Sequence, residues 1–159
     1  MIYVTLGTQK FQFDRILKKL DQLIEDKCIE DELVVQCIYH TYKPKNFEIF
    51  KLKPIEEVEE ILKKSKLVIT HAGTGSLVQC INFKKHTVVV PRLVDFGEHV
   101  DNHQTEIAQV FQVKGNATVI TEIDDLDMYV KDYSKANIIN INLDNTMLLK
   151  SIDNYIEAL

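Results

Sequence analysis

Short apolar runs alternating with helical patterns predict an α/β fold, a Rossmann-like three-layer domain whose parallel sheet carries helices on both faces. Three observations support it. The strand-like runs are continuously apolar, as in strands buried on both sides. The intervening segments place apolar residues at helical spacing. The chain has 159 residues, 45% of them apolar, which suffices for one hydrophobic core and is short for two. We therefore expect one domain over residues 1–159.

The first half of the chain contains four predicted strands and two predicted helices. The strands are expected at residues 2–6, 33–38, 47–52 and 67–70, with a loop over 39–46. The first helix has its apolar residues at helical spacing, namely Phe13, Ile16, Leu17, Leu20 and Ile24. Pro54 suits the first turn of the second helix, whose inward residues are Ile55, Val58, Ile61 and Leu62.

The second half continues the alternation. Helices are predicted at residues 76–83, 102–114, 122–130 and 144–159, a strand at 87–90 and an edge strand at 118–120. The last helix has an apolar stripe formed by Leu148, Leu149, Ile152, Tyr155 and Ile156. That stripe suits packing on the protein's own sheet, which we favour, or docking onto a partner.

Composition excludes several classes of function. The net charge is −5 with both signs interleaved, which argues against nucleic-acid binding and against a polybasic membrane-surface binder. No apolar run approaches the roughly 20 residues that span a bilayer, and Met1 leads directly into a strand pattern, so neither a membrane helix nor a leader is expected. Three cysteines without a CxxC pair indicate reduced thiols in a cytosolic protein.

Three unusual segments follow predicted strands, at residues 7–9, 71–76 and 92–104. In an open parallel sheet, ligands bind beyond the carboxyl ends of the strands. Because these ends share one edge of the sheet, we expect the three segments to converge there on one site.

The segment His71-Ala-Gly-Thr-Gly-Ser76 is the strongest of the three. Gly73 and Gly75 allow positive φ and close approach of a ligand to the backbone. The N–H groups of residues 74–76 would open the next helix, where phosphate oxygens bind well, and His71 could donate to them. An ordinary strand-to-helix turn is an equally good interpretation. The spacing matches neither G-x-G-x-x-G nor a P-loop.

The third segment concentrates polar groups where a loop enters a helix. His99 and His103 are four residues apart, which raises the possibility of a metal site. There is no HExxH pattern, however, and the neighbouring polar residues suit a helix cap equally well, so no metal site is predicted. A serine hydrolase is also disfavoured, since Ser76 lies outside a G-x-S-x-G elbow.

Taken in order, these motifs resemble the nucleotide-sugar-binding lobe of GT-B glycosyltransferases, the glycosyltransferase family 28 C-terminal domain. The resemblance is strongest to bacterial exopolysaccharide and capsule β-1,4-galactosyltransferase subunits and to the catalytic subunit of the dolichol-linked GlcNAc transferase. It rests on four stretches: Tyr3-Val-Thr-Leu-Gly-Thr8, Thr70-His-Ala-Gly-Thr-Gly-Ser76, Val90-Pro-Arg92 and Gly97-Glu-His-Val-Asp-Asn-His-Gln104.

The resemblance implies substrate-binding roles position by position. It places Gly7 and Thr8 across from the diphosphate, and it places Arg92 where the uracil is held, largely by backbone. Gln79 stands where the family has a carboxylate that accepts the ribose hydroxyls, a departure that removes a charge-assisted bond. The phosphate turn would comprise His71, Gly73, Thr74, Gly75 and Ser76, and the donor-sugar contacts would come from His103 and Gln104.

The resemblance also implies the activity. It indicates a UDP-sugar-dependent, inverting, metal-independent hexosyltransferase with no cofactor beyond the donor, using UDP-galactose or UDP-GlcNAc. The acceptor would be a lipid-linked saccharide in polysaccharide biosynthesis. A membrane-anchored partner would supply the acceptor lobe and recruit this cytoplasmic subunit to the inner face of the membrane. Glu98 and His99 are the local candidates for the general base. The alternative, favoured by Gln79, is a non-catalytic regulatory or scaffolding subunit of the same fold.

Overall fold

A computed structural model describes residues 1–141 of the chain. Within them lies one sheet of six strands, all paired in parallel. The strands are β1 (Ile2–Thr5), β2 (Leu33–Gln36), β3 (Ile49–Phe50), β4 (Leu67–Thr70), β5 (His86–Val89) and β6 (Thr118–Val119). The α-helices are α1 (Asp14–Glu25), α2 (Ile55–Lys64), α3 (Thr74–Asn82), α4 (His103–Gly115) and α5 (Leu126–Lys131).

The order of strands across the sheet is β3-β2-β1-β4-β5-β6. The chain builds outward from β1 to β3, then crosses back to place β4 on the other side of β1. The order therefore reverses between β1 and β4, where Thr5 pairs with Thr70. Ligand sites of open α/β sheets lie in the crevice beyond the carboxyl ends of the strands at such a reversal.

Two apolar layers cover the sheet, one on each face. Ile2, Val4 and Leu6 of the first strand region pack with α1 and α5. Tyr3 points the other way and packs with α2, α3 and α4. This alternation is the period of two expected of a strand, and it makes both faces of β1 apolar. The predicted three-layer architecture is confirmed.

Several element boundaries differ from the sequence-based ones. β2 ends at Gln36 rather than at residue 38, and β3 has only two residues. The helix expected over 122–130 is divided into a 3-10 turn at Ile123–Asp125 and the short α5. Conversely, α3 begins at Thr74, two residues earlier than expected. The helix predicted over 144–159, with its apolar stripe, lies outside the described residues.

Two features are absent from the described part of the chain. Across residues 1–141, no helix combines the length and apolar character needed to cross a bilayer. In the same part of the chain, no three or more His, Cys, Asp or Glu side chains come together in a way that could hold a metal ion.

Candidate functional site

The segments after β1 and β4 lie side by side at the reversal of strand order. β1 is followed by Gly7 and Thr8, and β4 by residues 71–76. Because β1 and β4 are hydrogen-bonded neighbours, the two segments share one stretch of the carboxyl edge. The structure thus brings these two segments together in the place where the sequence predicts a site. The third segment, after β5, adjoins them through the bond from Arg92 Nη2 to the Leu6 carbonyl (2.6 Å).

The N-terminus of α3 lies at this stretch of the edge and is exposed to solvent. Gly73 is its N-cap residue and supplies no side-chain cap, and the first helical hydrogen bond runs from the Leu77 N–H to the Gly73 carbonyl (3.1 Å). Thr74 and Gly75 are exposed, and a Cβ built on Gly75 would meet nothing within 4 Å. Among the described residues, no acceptor binds the N–H groups of residues 74–76, so at this exposed helix N-terminus they are available to an anion.

His71 fills the narrow space between the two segments. A Cβ placed on Gly7 would lie 2.5 Å from His71 Nε2, and one on Gly73 would lie 2.2 Å from the same atom. Both positions therefore need glycine for space. The expected positive φ occurs at Gly7 (77°) but at neither Gly73, whose φ is −78°, nor the helical Gly75, so that expectation is wrong for the turn itself.

His71 is neutral at physiological pH. Burial, and secondarily the positive charge of Arg92 and the proximity of His99, lowers its pKa to about 4. Its Nδ1 lies 3.4 Å from the Thr5 carbonyl oxygen, which can only accept, so Nδ1 carries the proton and Nε2 the lone pair. An anion bound beside the ring would favour protonation at Nε2 and so convert it into a donor.

A cleft of about 220 Å³ continues from these segments between α2 and α3. Four predicted site residues line it: Gly7, Thr8, Ser76 and Gln79. The sequence analysis missed its other lining residues, which are Tyr3, Thr5, Gln36, Leu52, Lys53 and Val58. A larger depression of about 480 Å³ lies in the α1–β2 connection, at the amino edge of the sheet, and is a poorer candidate for that reason.

The floor of the cleft is a row of buried polar groups. Thr5 Oγ1 donates to Gln36 Oε1 (2.8 Å), and Gln36 Nε2 donates to the Lys51 carbonyl (2.8 Å). Burial raises the pKa of the neighbouring Tyr3 to about 12, so its hydroxyl stays protonated. Polar residues in the otherwise apolar strands β1 and β2, paired in register as Thr5 and Gln36, are the sequence signal that could have revealed this floor.

In the segment after β5, polar side chains are buried rather than exposed. The expectation that Glu98 is a general base at the rim is wrong for this reason. The Glu98 side chain is fully buried, and its carboxylate accepts from Arg15 Nε (2.8 Å) and from the Leu93 N–H (3.0 Å). A general base must reach the proton that it abstracts, and this carboxylate faces protein groups instead. Glu98 holds the segment after β5 in place by these hydrogen bonds and does not face the rim as a general base would.

Arg92 is also interior. Its side chain is 1% exposed and donates only to main-chain carbonyls, and its N–H donates to Gln104 Oε1 (3.2 Å). Neither the guanidinium nor this N–H is free to hold a uracil. The Arg92 side chain therefore has a structural role, and the expected contact of this segment's backbone with a uracil stays a prediction.

The remaining predicted residues differ in accessibility. His99 is half-buried, packs against the ring of Phe11 and has Nδ1 2.8 Å from an Asp101 oxygen. His103 is exposed at the start of α4, with Nδ1 3.3 Å from Glu106. Gln104 is buried behind it. The His103 ring is therefore accessible, whereas the His99 side chain is 14% exposed and the Gln104 amide oxygen accepts from the Arg92 N–H.

Comparisons with known proteins identify the family. The family described as glycosyltransferase family 28 C-terminal domain matches residues 1–139. The chain is 32% identical over 91 residues to the UDP-N-acetylglucosamine transferase subunit ALG13 of Candida albicans, covering 57% of this chain and 29% of that protein. The corresponding subunit of Debaryomyces hansenii is 24% identical over 140 residues, covering 81% and 63%.

Two further similarities extend beyond that subunit. The NDP-glycosyltransferase YjiC of Bacillus licheniformis is 30% identical over 109 residues, which cover 58% of this chain and 27% of that one. The glycosyltransferase SnogD of Streptomyces nogalater has the same fold, with a TM-score of 0.52 at 18% identity, over 84% of this chain and 35% of its own. The chain thus spans less than two thirds of the length of each of these proteins.

Proposed function

The chain belongs to the glycosyltransferase family 28 C-terminal domain family, and from this premise we propose that it is the donor-binding subunit of a UDP-sugar glycosyltransferase. Its product would be a lengthened lipid-linked saccharide. The observation that carries the proposal is the uncapped N-terminus of α3, which opens beside His71 and Gly7 at the reversal of strand order. That arrangement suits a diphosphate.

The cleft supports one direction for the bound nucleotide. With the diphosphate on the N–H groups of residues 74–76, the nucleoside enters the cleft between α2 and α3. Gln79 lines that cleft and can accept one ribose hydroxyl and donate to another through its amide. Leu52 and Val58 supply apolar surface for the base. We favour this placement over the segment 90–92 because Arg92 is buried and engaged there.

The same groups would stabilise the leaving group. Negative charge grows on UDP as the bond from sugar to phosphate breaks, and preorganised donors aimed at that charge lower the barrier. The α3 N–H groups supply such donors without reorganisation, and His71 becomes a further donor when it takes up a proton. Such stabilisation needs no metal ion and no cofactor besides the donor, and it is compatible with an inverting displacement.

The acceptor and the general base would come from a second lobe on a separate subunit. Inversion needs a base near the attacking hydroxyl, and Glu98 faces the interior of this domain. His99, half-buried at the rim, is the local residue that could assist. We propose a membrane-anchored partner at the cytoplasmic face. The similarity to UDP-N-acetylglucosamine transferase subunits favours UDP-GlcNAc over UDP-galactose as donor.

Calorimetric titration of the chain with UDP, UDP-GlcNAc, UDP-galactose and ADP tests the donor site. We expect binding of the uridine nucleotides, with UDP-GlcNAc preferred among the sugars, and weaker binding of ADP. If UDP fails to bind both the isolated chain and its complex with the partner, the proposal is wrong.

A second candidate is a non-catalytic subunit that keeps the fold, and Gln79 is the observation that favours it, because a neutral amide forms weaker bonds to ribose than a carboxylate. Transfer of radiolabelled sugar to a lipid-linked acceptor by the assembled complex separates the two. Loss of transfer in His71→Ala supports the catalytic role. Unchanged transfer in that variant supports the non-catalytic one.

A further inference from the structure

The guanidinium of Arg92 connects parts of the rim that are remote in sequence. Its Nη2 donates to the Leu6 carbonyl (2.6 Å), directly before Gly7. Its Nη1 lies 3.0 Å from the Phe11 carbonyl, 3.1 Å from that of Gln12 and 3.1 Å from that of Glu98. One buried side chain thus fixes the end of β1 and the loop after it against the segment after β5.

The positive charge of Arg92 has no carboxylate of its own. Among the described residues, no acidic oxygen lies within 4.0 Å of its guanidinium, which stacks on Phe13 instead (4.7 Å from the ring centroid). The nearby Glu98 carboxylate pairs with Arg15. Two buried or half-buried cations and one carboxylate leave this cluster with a surplus positive charge. A buried charge without a counterion is costly and favours an anion nearby.

We propose that Arg92 is a positioning residue for the donor diphosphate: it holds the Gly7 loop in place by its four carbonyl bonds, and its surplus charge attracts the phosphates without touching them. The inference rests on the proposed function, because it assumes that an anion binds at the start of α3. The bond from Arg92 to the Leu6 carbonyl brings its charge next to Gly7, and that charge is among the causes that lower the pKa of His71, which lies between Gly7 and Gly73.

Three variants separate charge, bonding and general stability. Arg92→Gln removes the charge, and Arg92→Lys keeps the charge but cannot span the same four carbonyls. Lys19→Gln is the matched control, since Lys19 is also a buried cation but is neutralised by Asp124 (2.8 Å) and Asp127 (2.6 Å). Thermal denaturation identifies the folded variants, and calorimetry then measures binding of UDP and of uridine, which lacks phosphates.

We expect Arg92→Gln to weaken UDP binding roughly tenfold, the effect of a buried unit charge acting over several ångströms, and to leave uridine binding unchanged. Arg92→Lys should weaken UDP binding less, and Lys19→Gln should change neither. Equal losses for UDP and uridine in Arg92→Gln would overturn the electrostatic role. Wild-type affinities in Arg92→Lys would overturn the bonding role, and this test remains if the glutamine variant does not fold.

A readout without nucleotide distinguishes failure of this inference from failure of the proposed function. NMR titration of the His71 ring should show a higher pKa in Arg92→Gln than in the wild type and a nearly unchanged pKa in Arg92→Lys. An unchanged His71 pKa in Arg92→Gln contradicts the inference even if UDP binds. If the His71 pKa rises in Arg92→Gln but the wild-type protein binds no UDP, the electrostatic effect of Arg92 on His71 is supported and the proposed nucleotide site is refuted.

Discussion

The turn after β4 and the segment after β5 both follow a buried strand at the same edge, and both are rich in polar groups. In the turn, the backbone N–H groups at the start of α3 face open space. In the segment after β5, Arg92, Glu98 and Gln104 bond to protein groups and are buried. Polar residues at a rim can thus bind a ligand or brace the loops that do, and only their partners distinguish the two roles.

The largest effect that we expect from this difference is a loss of UDP affinity on substitution in the turn after β4. Gly75→Asp places a carboxylate in the space in front of the helix N-terminus, where it competes with and repels phosphate. We expect UDP affinity to fall about 100-fold, the size typical of removing a charge-assisted anion contact and adding like-charge repulsion. Calorimetry measures it, and Gly75→Ala is the control because its Cβ meets nothing within 4 Å. Equal affinity of the two variants would remove the turn from the site.

In the segment after β5, where the polar side chains are buried, we expect a loss of stability instead. Glu98→Gln leaves Arg15 without its carboxylate in a mostly buried setting, which should cost about 2–3 kcal/mol in the free energy of unfolding. Glu106→Gln is the matched control: its exposed pair with His103 should contribute less than about 0.5 kcal/mol. Chemical denaturation measures both. If Glu98→Gln is as stable as the control but abolishes transfer, Glu98 is catalytic and the comparison fails.

His71, at the start of the turn after β4, makes stability depend on pH. Its pKa is about 4 in the folded protein and near 6.5 in an unfolded chain, so the unfolded chain binds more protons between these values. The stability due to neutral His71 is therefore present above pH 6.5 and is lost as the pH falls toward 4. We expect a loss of about 2 kcal/mol from pH 7.5 to pH 5.

His71→Gln checks this assignment because glutamine does not titrate in the range. The variant should lose less stability than the wild type on the same acidification, whatever its absolute stability, as measured by denaturant unfolding at each pH. The folded-state pKa of Asp14 and Asp21 is lowered by their hydrogen bonds, so these carboxylates contribute at more acidic pH in both proteins. Parallel pH profiles would show that His71 is not buried in its neutral form.

The smallest expected effect is a change in UDP affinity that tests whether the ribose lies in the cleft between α2 and α3. Gln79→Glu restores a charged acceptor for the ribose hydroxyls, and a charge-assisted hydrogen bond should raise UDP affinity roughly tenfold. The gain should disappear with 2′-deoxy-UDP, which lacks one hydroxyl. If Gln79→Glu does not change UDP affinity, the ribose lies outside the cleft between α2 and α3.

The residue patterns were sufficient for the architecture and for the open turn. Apolar periodicity predicts the order of strands and helices, and parallel pairing places their carboxyl ends on one edge, so Gly7 and residues 71–76 could be assigned to one site. The boundaries were less well determined: β2 ends two residues early, and residues 122–130 divide into two short helical pieces. Local patterns do not contain the tertiary contacts that end these elements.

By itself, then, the sequence determined the three layers, the edge and the glycine turn that opens α3, because each follows from local periodicity or from the order of elements. Only the tertiary structure decided which polar residues at the rim are buried and bonded to protein groups and which are exposed. Arg92 is a brace because its partners include the Leu6 carbonyl, 86 residues away. The floor of the cleft is formed by Tyr3, Thr5 and Gln36, because the pairing of β1 with β2 brings these residues together. Burial and hydrogen-bond satisfaction depend on distant residues, which no local pattern specifies.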